Sequence, residues 1–246
     1  MRLVADLHTH SLASGHAYCT INEMARAAAD IGLEMIGITD HGPNMPGGPH
    51  LFYFGNLYVV PPVIAGIRVL KGVEANIIGS LGELDLPNRI LKSLDIVLAG
   101  FHSSTGYEGT GISENTKATI KVLENPYVHG IVHPGNPKFP VDIDEVVSAA
   151  KDLDKVIEIN NASLTITRLE SMENCIKFAE AALKYGTTII VSSDSHHTSL
   201  VGEFDEAIKL IKAVGLGSEQ VLNTDVSKID EFLRRRRKAL NRKQNS

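Results

Sequence analysis

The chain has 246 residues, 43% of them hydrophobic, and a formal net charge of −5. That length and apolar content suit one α/β domain over residues 1–246 with a substantial core. Its longest apolar stretch, LYVVPPVIAGIRVL, is broken by prolines and an arginine and falls short of the ~18 apolar residues of a membrane helix. Polar Asp6 and His8 come too early for a signal peptide, and Cys19 and Cys175 lack CxxC spacing. We therefore expect a cytoplasmic protein with free thiols and no membrane partner.

The basic residues are concentrated at the C-terminus. The tail at about residues 234–246, RRRRKALNRKQNS, holds seven of the 24 Lys and Arg and no acid. Such a run could attract phosphate-rich partners, but more often it is the solvated end of a helix, where it favours the helix dipole. The remaining body, with 17 bases against 29 acids, argues against a long nucleic-acid track. A small phosphorylated substrate held by metal ions is not excluded.

Short β-branched runs recur along the chain and alternate with helical segments. They predict seven strands, at Arg2–Leu7, Glu34–Thr39, Arg68–Val73, Ile96–Ala99, Val128–Val132, Val156–Ile159 and Thr188–Val191. A capping box at Thr20 and Glu23 opens a helix that Gly32 ends. Ser113 and Asp142 are expected to cap helices that run to Asn125 and Leu153, residues 203–214 are amphipathic, and PNRILKSL allows only a short helix. The alternation implies parallel strands with right-handed crossovers.

Polar side chains follow nearly every predicted strand. In chain order they are His8 and His10, Asp40 and His41, Glu74, His102, His133, Asn160 and Asn161, and Asp194 with His196 and His197. In a barrel these carboxyl ends converge on one face, whereas the outer strands of an open sheet are too far apart. No GxGxxG or P-loop sequence follows a strand, which further disfavours an open nucleotide-binding sheet. The sequence therefore predicts a barrel with one shared site.

The donor chemistry of this site indicates metal ions. Nine donors are predicted: His8, His10, His16, His41, Glu74, His102, His133, Asp194 and His196. Imidazoles and carboxylates suit Zn²⁺, Mn²⁺ or Fe²⁺, and without thiolates a cysteine-based structural zinc site is excluded. Nine donors are too many for one ion and generous for two. His50 and His197 are expected at the surface or behind the ligands, and His129 in the core.

Together the motifs DLHTHSLASGHAYCT, ITDHGP, GVEANI, GFHSS, IVHPGNPK, IEINNAS and SSDSHHT resemble the PHP (polymerase and histidinol phosphatase) superfamily. The closest likeness is to its YcdX-like phosphatases, over about Asp6 to Phe204. The resemblance implies an α/β fold, a distorted (β/α)7 TIM-like barrel, with three divalent metal ions, usually zinc, with manganese or iron as alternatives.

The resemblance also implies how the donors divide among the ions. His8, His10, Glu74 and Asp194 would hold the first ion. Glu74 would bridge to the second, which takes His102 and His133. The third would take His16, His41 and His196, and the choice of His196 over His197 rests on the resemblance alone.

The predicted function is a metal-dependent phosphatase that hydrolyses a small phosphomonoester by attack of metal-bound hydroxide at phosphorus. Asp194, Asp40 and His196 are the candidate catalytic groups, and Lys138, Ser103 and Asn160 the candidate substrate contacts. Three alternatives stay open: a phosphodiesterase or nuclease of the same superfamily, a barrel amidohydrolase, and a non-catalytic metal-binding regulatory protein. The amidohydrolase is disfavoured because no lysine ends the fourth strand. The oligomeric state is open, a homo-oligomer included.

Overall fold

The computed structural model describes residues 1–168 and 170–244, with side chains through residue 237. Its sheet consists of β1 (Ala5–Thr9), β2 (Met35–Ile38), β3 (Val63–Ile64), β4 (Ile67–Asn76), β5 (Ile96–Gly100), β6 (Gly130–Ile131), β7 (Val156–Asn160) and β8 (Ile189–Ser192). The strands β1, β2, β4, β5, β6, β7 and β8 are neighbours in that order, and each pairs in parallel with the next. Strand β3 forms an antiparallel hairpin with β4 that the sequence analysis did not predict.

The two ends of the sheet meet directly after β8. A parallel bridge joins Thr9 to Ser195, the backbone N–H of His10 donates to the carbonyl of Ser195 at 2.8 Å, and that of Asp194 donates to the carbonyl of His8 at 3.0 Å. These bonds nearly close the sheet into a barrel, so the predicted distorted (β/α)7 architecture is confirmed. They also bring the first and last polar loops side by side at one end of the barrel.

Helices cover the outside of the barrel. They are α1 (Ile21–Asp30), α2 (Leu51–Asn56), α3 (Asn88–Leu91), α4 (Ile112–Glu124), α5 (Ile143–Asp152), α6 (Ala162–Thr165), α7 (Met172–Tyr185), α8 (Asp205–Val214) and α9 (Val226–Gln244). The Thr20–Glu23 capping box of α1 and the Asp142 cap of α5 are as predicted. The prediction that Ser113 caps α4 is wrong, because that helix begins at Ile112 with Gly111 in the cap position.

Helix α9 closes the end of the barrel opposite the polar loops. Its Ile229, Phe232 and Leu233 are buried against inward-facing strand residues such as Leu7 and Leu98. The start of the basic run is attached to the body: Arg235 and Arg237 pair with Asp154 and Asp95, and Arg236 donates to the carbonyls of Pro126, Val128 and Leu153. Arg235 and Arg237 are exposed, at 52% and 61%, as expected for a solvated helix end. Arg236 departs from that expectation, because it is half-buried and caps carbonyls. The remaining side chains of the predicted tail, from residue 238 on, lie outside those described.

Among the residues described, no helix combines the length and the apolar character needed to cross a membrane.

Candidate metal centre

Glu74, near the end of β4, lies at the centre of the polar cluster. Its Oε2 atom is 2.7 Å from Nδ1 of His41 and 3.3 and 3.4 Å from Nε2 of His8 and His10. Its Oε1 atom is 2.6 Å from Nε2 of His133 and 3.0 Å from Nε2 of His102. The fully buried carboxylate thus touches five of the predicted histidines, which lie at or directly after the ends of four different strands.

His8 and His10 each have one ring nitrogen committed to a partner away from Glu74. Nδ1 of His8 donates to a carboxylate oxygen of Glu158 at 2.7 Å, and Nδ1 of His10 lies 3.0 Å from the hydroxyl of Ser14. Their Nε2 atoms face each other at 3.1 Å, with Oδ1 of Asp194 at 3.6 and 3.2 Å. Two imidazole nitrogens that face each other need a cation between them, either a proton or a metal ion. The donor set suits a divalent metal ion.

A second histidine pair lies at the outer side of the cluster. Nδ1 of His196 donates to the backbone carbonyl of Asp194 at 2.9 Å, which leaves its Nε2 atom 3.2 Å from Nε2 of His16. The ring pairs His10–His196, His16–His41 and His16–His196 are stacked, with centroids 4.2–4.9 Å apart. His16 is exposed and the His196 side chain is 26% exposed, so this pair borders the solvent.

Three sets of donor atoms are close enough to share an ion. They are His8, His10 and Asp194; His41, Glu74 and His102; and His10, His41 and His196. His133 and His16 adjoin these sets through Glu74 and His196. Although Nδ1 of His41 and Oε2 of Glu74 lie 2.7 Å apart, neither of these buried atoms has a partner in hydrogen-bonding geometry among the described residues. The same holds for both ring nitrogens of His102. Buried polar atoms of this kind are costly unless a ligand satisfies them, so the residues present fit a metal cluster.

The electrostatics of the cluster favour bound cations. Burial alone would raise the pKa of Glu74, but the imidazoles of His102, His41 and His8 outweigh it and hold that pKa well below its usual range. Burial and the neighbouring His41 and His196 lower the pKa of His10 well below its usual value. The carboxylate therefore stays ionised and the imidazole stays neutral, which are the forms that bind metals.

The pKa of His8 shifts in the opposite direction from that of His10, because carboxylates surround the His8 ring. Desolvation would lower its pKa, yet the carboxylates of Glu158, Glu74 and Asp194 raise it well above its usual value. Desolvation likewise opposes ionisation of Asp194, but His8 and Arg168 hold its pKa well below the usual range. The carboxylates therefore favour a positive charge at or beside the His8 ring, and a proton or a metal ion can supply it.

Several residues around the cluster were missed by the sequence analysis. Glu158 accepts bonds from the His8 ring, from the backbone N–H of His133 at 2.7 Å and from Asn160 at 3.0 Å. Its position two residues before Asn160 on β7 places both on one face of the strand, so strand alternation could have found it. Arg168 donates to a carboxylate oxygen of Asp194 and to Oδ1 of Asn160. No sequence pattern marks Arg168, which has a φ of 48° in the loop after α6.

The candidate substrate residues fall in two places. Nζ of Lys138 lies 2.6 Å from the hydroxyl of Ser103, so these two residues join the loops that follow His133 and His102. The Lys138 side chain is half exposed, at 51%. Asn160 is buried, and its amide contacts Glu158 and Asp194 while its oxygen accepts from Ser163 and Arg168.

The remaining predicted residues have structural partners. Asp40 is fully buried, and both of its carboxylate oxygens accept hydrogen bonds from protein groups. His50 caps α2, and His197 caps a short turn at residues 198–200. His129 is buried as expected, and its Nδ1 atom accepts from the backbone N–H of Val97 at 3.0 Å.

Comparison with known protein families agrees with this geometry. A model of the PHP domain matches residues 6–132 of the chain, which include the first six predicted donors, from His8 to His102. The chain belongs to the PHP family. The resemblance stated from the sequence motifs is therefore confirmed.

Relatives of this PHP protein match along its whole length. A protein of Acetivibrio thermocellus described as a probable phosphatase is 51% identical over 99% of this chain and 100% of its own. A probable phosphatase of Caldanaerobacter subterraneus subsp. tengcongensis is 50% identical over 100% of this chain and 97% of its own.

Solved structures share the fold of the PHP protein. Histidinol phosphate phosphatase from Lactococcus lactis, complexed with zinc, L-histidinol and phosphate, aligns with a TM-score of 0.63 and 19% identity over 87% of this chain and 94% of that one. A chain in an archaeal ribonuclease P complex with mature tRNA aligns with a TM-score of 0.57 and 11% identity over 94% and 89%. At these identities the likeness concerns the fold alone.

Proposed function

We propose that this PHP protein is a metal-dependent phosphatase that hydrolyses a small phosphomonoester. The reaction class predicted from the sequence is borne out by the full-length relatives, which are described as probable phosphatases. The fold is shared with a histidinol phosphate phosphatase that was solved with zinc and phosphate. The observation that carries the proposal is the pair of Nε2 atoms of His8 and His10, 3.1 Å apart beside Asp194 and the Glu74 carboxylate.

The metal complement proposed is three divalent ions, most favourably zinc. The overlapping three-donor sets around Glu74 support more than one ion, and the division follows the one that the family resemblance implies. His8, His10, Glu74 and Asp194 would hold one ion. Glu74, His102 and His133 would hold a second, and His16, His41 and His196 a third. When bound, such ions supply Lewis-acid activation of water and neutralise charge on phosphoryl oxygens.

The chain's own cations and hydroxyls would orient the substrate. The Lys138 ammonium and the Ser103 hydroxyl lie together on the loops that carry two predicted ligands, so they can bind phosphoryl oxygens as a pair. Arg168 adds a guanidinium beside Asp194, and Asn160 holds that guanidinium through its side-chain oxygen. In this proposal the two cations would neutralise charge on a phosphate dianion bound beside the metal ions.

The leaving oxygen must receive a proton. Of the predicted groups Asp194, Asp40 and His196, we propose His196 as the donor, because His8 and Arg168 keep the Asp194 carboxyl ionised and four hydrogen bonds occupy Asp40. Asp194 and His196 adjoin each other through the bond from the His196 ring to the Asp194 carbonyl, and His196 is partly exposed. Asp40 lies fully buried behind Ser14, so we propose for it the positioning role developed below.

A comparison of esters tests the reaction class. Metal-free protein should not hydrolyse p-nitrophenyl phosphate, and added Zn²⁺ or Mn²⁺ should restore the activity. The Glu74→Gln variant should stay inactive at any metal concentration. The matched control is His197→Gln, which replaces a histidine that only caps a turn, and it should keep the activity.

Two rivals predict different results from the same assay. Hydrolysis of bis-p-nitrophenyl phosphate or dinucleotides without monoester hydrolysis would favour the phosphodiesterase or nuclease. Full metal binding with no turnover across a phosphoester panel would favour a regulatory metal-binding protein. The cytoplasmic location, the single-domain organisation and a homo-oligomeric state stay predictions.

A further inference from the structure

Asp40 is the centre of a buried hydrogen-bond network behind the histidine cluster. Its Oδ1 atom accepts from the backbone N–H of Ser11 at 2.6 Å and from the hydroxyl of Ser14 at 2.7 Å. Its Oδ2 atom accepts from the hydroxyl of Ser11 at 2.8 Å and from the phenol of Tyr53. Four donors from three residues thus occupy one carboxylate, which leaves it no free oxygen to face a substrate.

The direction of each bond at Ser14 follows from what its partners can do. The ionised Asp40 carboxylate only accepts, so the single hydroxyl proton of Ser14 is donated to it. The Ser14 oxygen must then accept from its other two neighbours, Nδ1 of His10 at 3.0 Å and the backbone N–H of His41 at 3.1 Å. His10 therefore carries its proton on Nδ1, and the lone pair of its Nε2 atom faces Glu74 and Asp194.

Tyr53 connects this network to the outer surface. It lies on helix α2, in the Gly42–Gly55 loop region next to His41, and its hydroxyl has to donate because Asp40 accepts only. The neighbouring Phe52 is 82% exposed, so α2 has one face in solvent while Tyr53 reaches the carboxylate. An exposed helix is thereby tied to the bonds that orient His10 and His41.

We propose that Tyr53, Asp40 and Ser14 form a positioning relay that fixes the ring of His10 as its Nδ1–H form and sets the place of His41. The inference rests on the proposed metal-dependent function. His10 and His41 each belong to two of the three-donor sets, so displacement of either ring disturbs two sets. None of the three relay residues touches the cluster's reacting centre, so they act through the histidines. Loss of such outer partners typically costs about 10- to 100-fold in metal affinity.

The tautomer of His10 in metal-free protein tests the relay without any assay of activity. Nitrogen-15 NMR of the wild type should show the His10 proton on Nδ1. In the Ser14→Ala variant the Nδ1 proton of His10 loses its acceptor, so the ring should shift toward the Nε2–H form. An unchanged His10 tautomer in a folded Ser14→Ala variant would overturn the relay.

Zinc affinity, measured by competition with a chromophoric chelator, tests the link to α2. Tyr53→Phe removes one oxygen atom and should weaken zinc binding by several-fold, and Asp40→Asn should weaken it by about 10- to 100-fold. Tyr58→Phe, at a side chain that is 77% exposed, is the matched control and should bind zinc as the wild type does. If Asp40→Asn does not fold, Tyr53→Phe alone decides the question.

Failure of the relay and failure of the proposed function give different results. A wild type that binds zinc but hydrolyses no phosphoester, with weakened zinc binding in Tyr53→Phe, would end the phosphatase proposal and keep the relay. An active wild type whose zinc affinity is the same in Tyr53→Phe and Tyr58→Phe would end the relay and keep the phosphatase.

Discussion

Nδ1 of His8 lies 2.7 Å from Oε1 of Glu158, and both side chains are buried. The same carboxylate accepts the backbone N–H of His133 through its other oxygen, also at 2.7 Å. One acid on β7 therefore orients two predicted ligands that come from β1 and from the end of β6. A carboxylate bonded to the far nitrogen of a histidine fixes its tautomer and raises its basicity as a ligand.

Replacement of Glu158 by glutamine should weaken metal binding. The amide N–H₂ group of Glu158→Gln must face either the His8 proton or the His133 N–H, so one of these donors loses its acceptor. We expect zinc affinity to fall by about 10- to 100-fold, measured by chelator competition. Glu173→Gln, an exposed exchange on α7, is the control. Equal zinc affinity in the two variants would show that Glu158 does not support the ligands.

Lys138 should affect substrate binding more than turnover. Its ammonium lies beside the Ser103 hydroxyl and contacts no predicted ligand directly, so Lys138→Met removes one positive charge and leaves the ligand set intact. We expect KM for p-nitrophenyl phosphate to rise by roughly tenfold, with a smaller change in kcat, as loss of one charged hydrogen bond would give. Lys117→Met, on the exposed face of α4, controls for the change in net charge. An unaltered KM for Lys138→Met would remove this residue from the substrate site.

We predict that the buried His129 ring lowers the free energy of unfolding at acidic pH. Burial, together with Arg236 and Lys155, lowers the pKa of its ring to about 3, below the ordinary value of 6.5. Between these values the unfolded chain binds one more proton at this residue than the folded chain. The contribution of His129 to the free energy of unfolding therefore falls by about 1.4 kcal/mol per pH unit as the pH drops below 6.5.

The His129→Asn variant isolates this effect. Its side-chain oxygen can still accept from the backbone N–H of Val97, but it has no group that titrates in this range. Urea unfolding of both proteins between pH 7 and 5 should show the stability difference shifting in favour of the variant as the pH falls. Parallel stability profiles would mean that His129 is protonated in the folded protein as readily as in the unfolded chain.

Arg236 should stabilise the closed end of the barrel. Its guanidinium donates to the carbonyls of Leu153, Pro126 and Val128, and a lysine cannot reach all three. We expect Arg236→Lys to lose about 1–3 kcal/mol of unfolding free energy in thermal or urea unfolding. The exposed Arg234→Lys exchange should change stability little. Equal stability of the two variants would place Arg236 among the solvated residues of the tail.

Much of the fold could be predicted because its signals are local. Capping residues such as Thr20 and Asp142 and the β-branched runs mark element boundaries directly. Strand β6 is shorter than the predicted Val128–Val132, because only Gly130 and Ile131 pair with both neighbouring strands, β5 and β7. Helix α7 was not identified, although its buried Cys175, Phe178, Ala179 and Ala182 recur at helical spacing and could have marked it.

The candidate donors could be predicted because they recur at strand ends, whereas their supports could not. Glu158 and Asp40 were visible as acids near the site, but their bonds to His8 and Ser14 depend on contacts across 150 and 26 positions of sequence. Arg168 lies in an irregular loop and Tyr53 on the six-residue helix α2, which is too short for its sequence pattern to show which side faces the site. The sequence motifs thus identify the candidate metal ligands, whereas the residues that orient those ligands become apparent only from the tertiary structure.

The central claim is that phosphatase activity depends on metal ions held around Glu74. A single titration tests it: metal-free protein is loaded with Zn²⁺ in steps, and bound zinc and the rate of p-nitrophenyl phosphate hydrolysis are measured on each sample. We expect no hydrolysis without metal and a rate that rises as the sites fill. In Glu74→Gln we expect no activity and weakened zinc binding at the two sites that would share Glu74. Hydrolysis at the full rate by metal-free protein would contradict it.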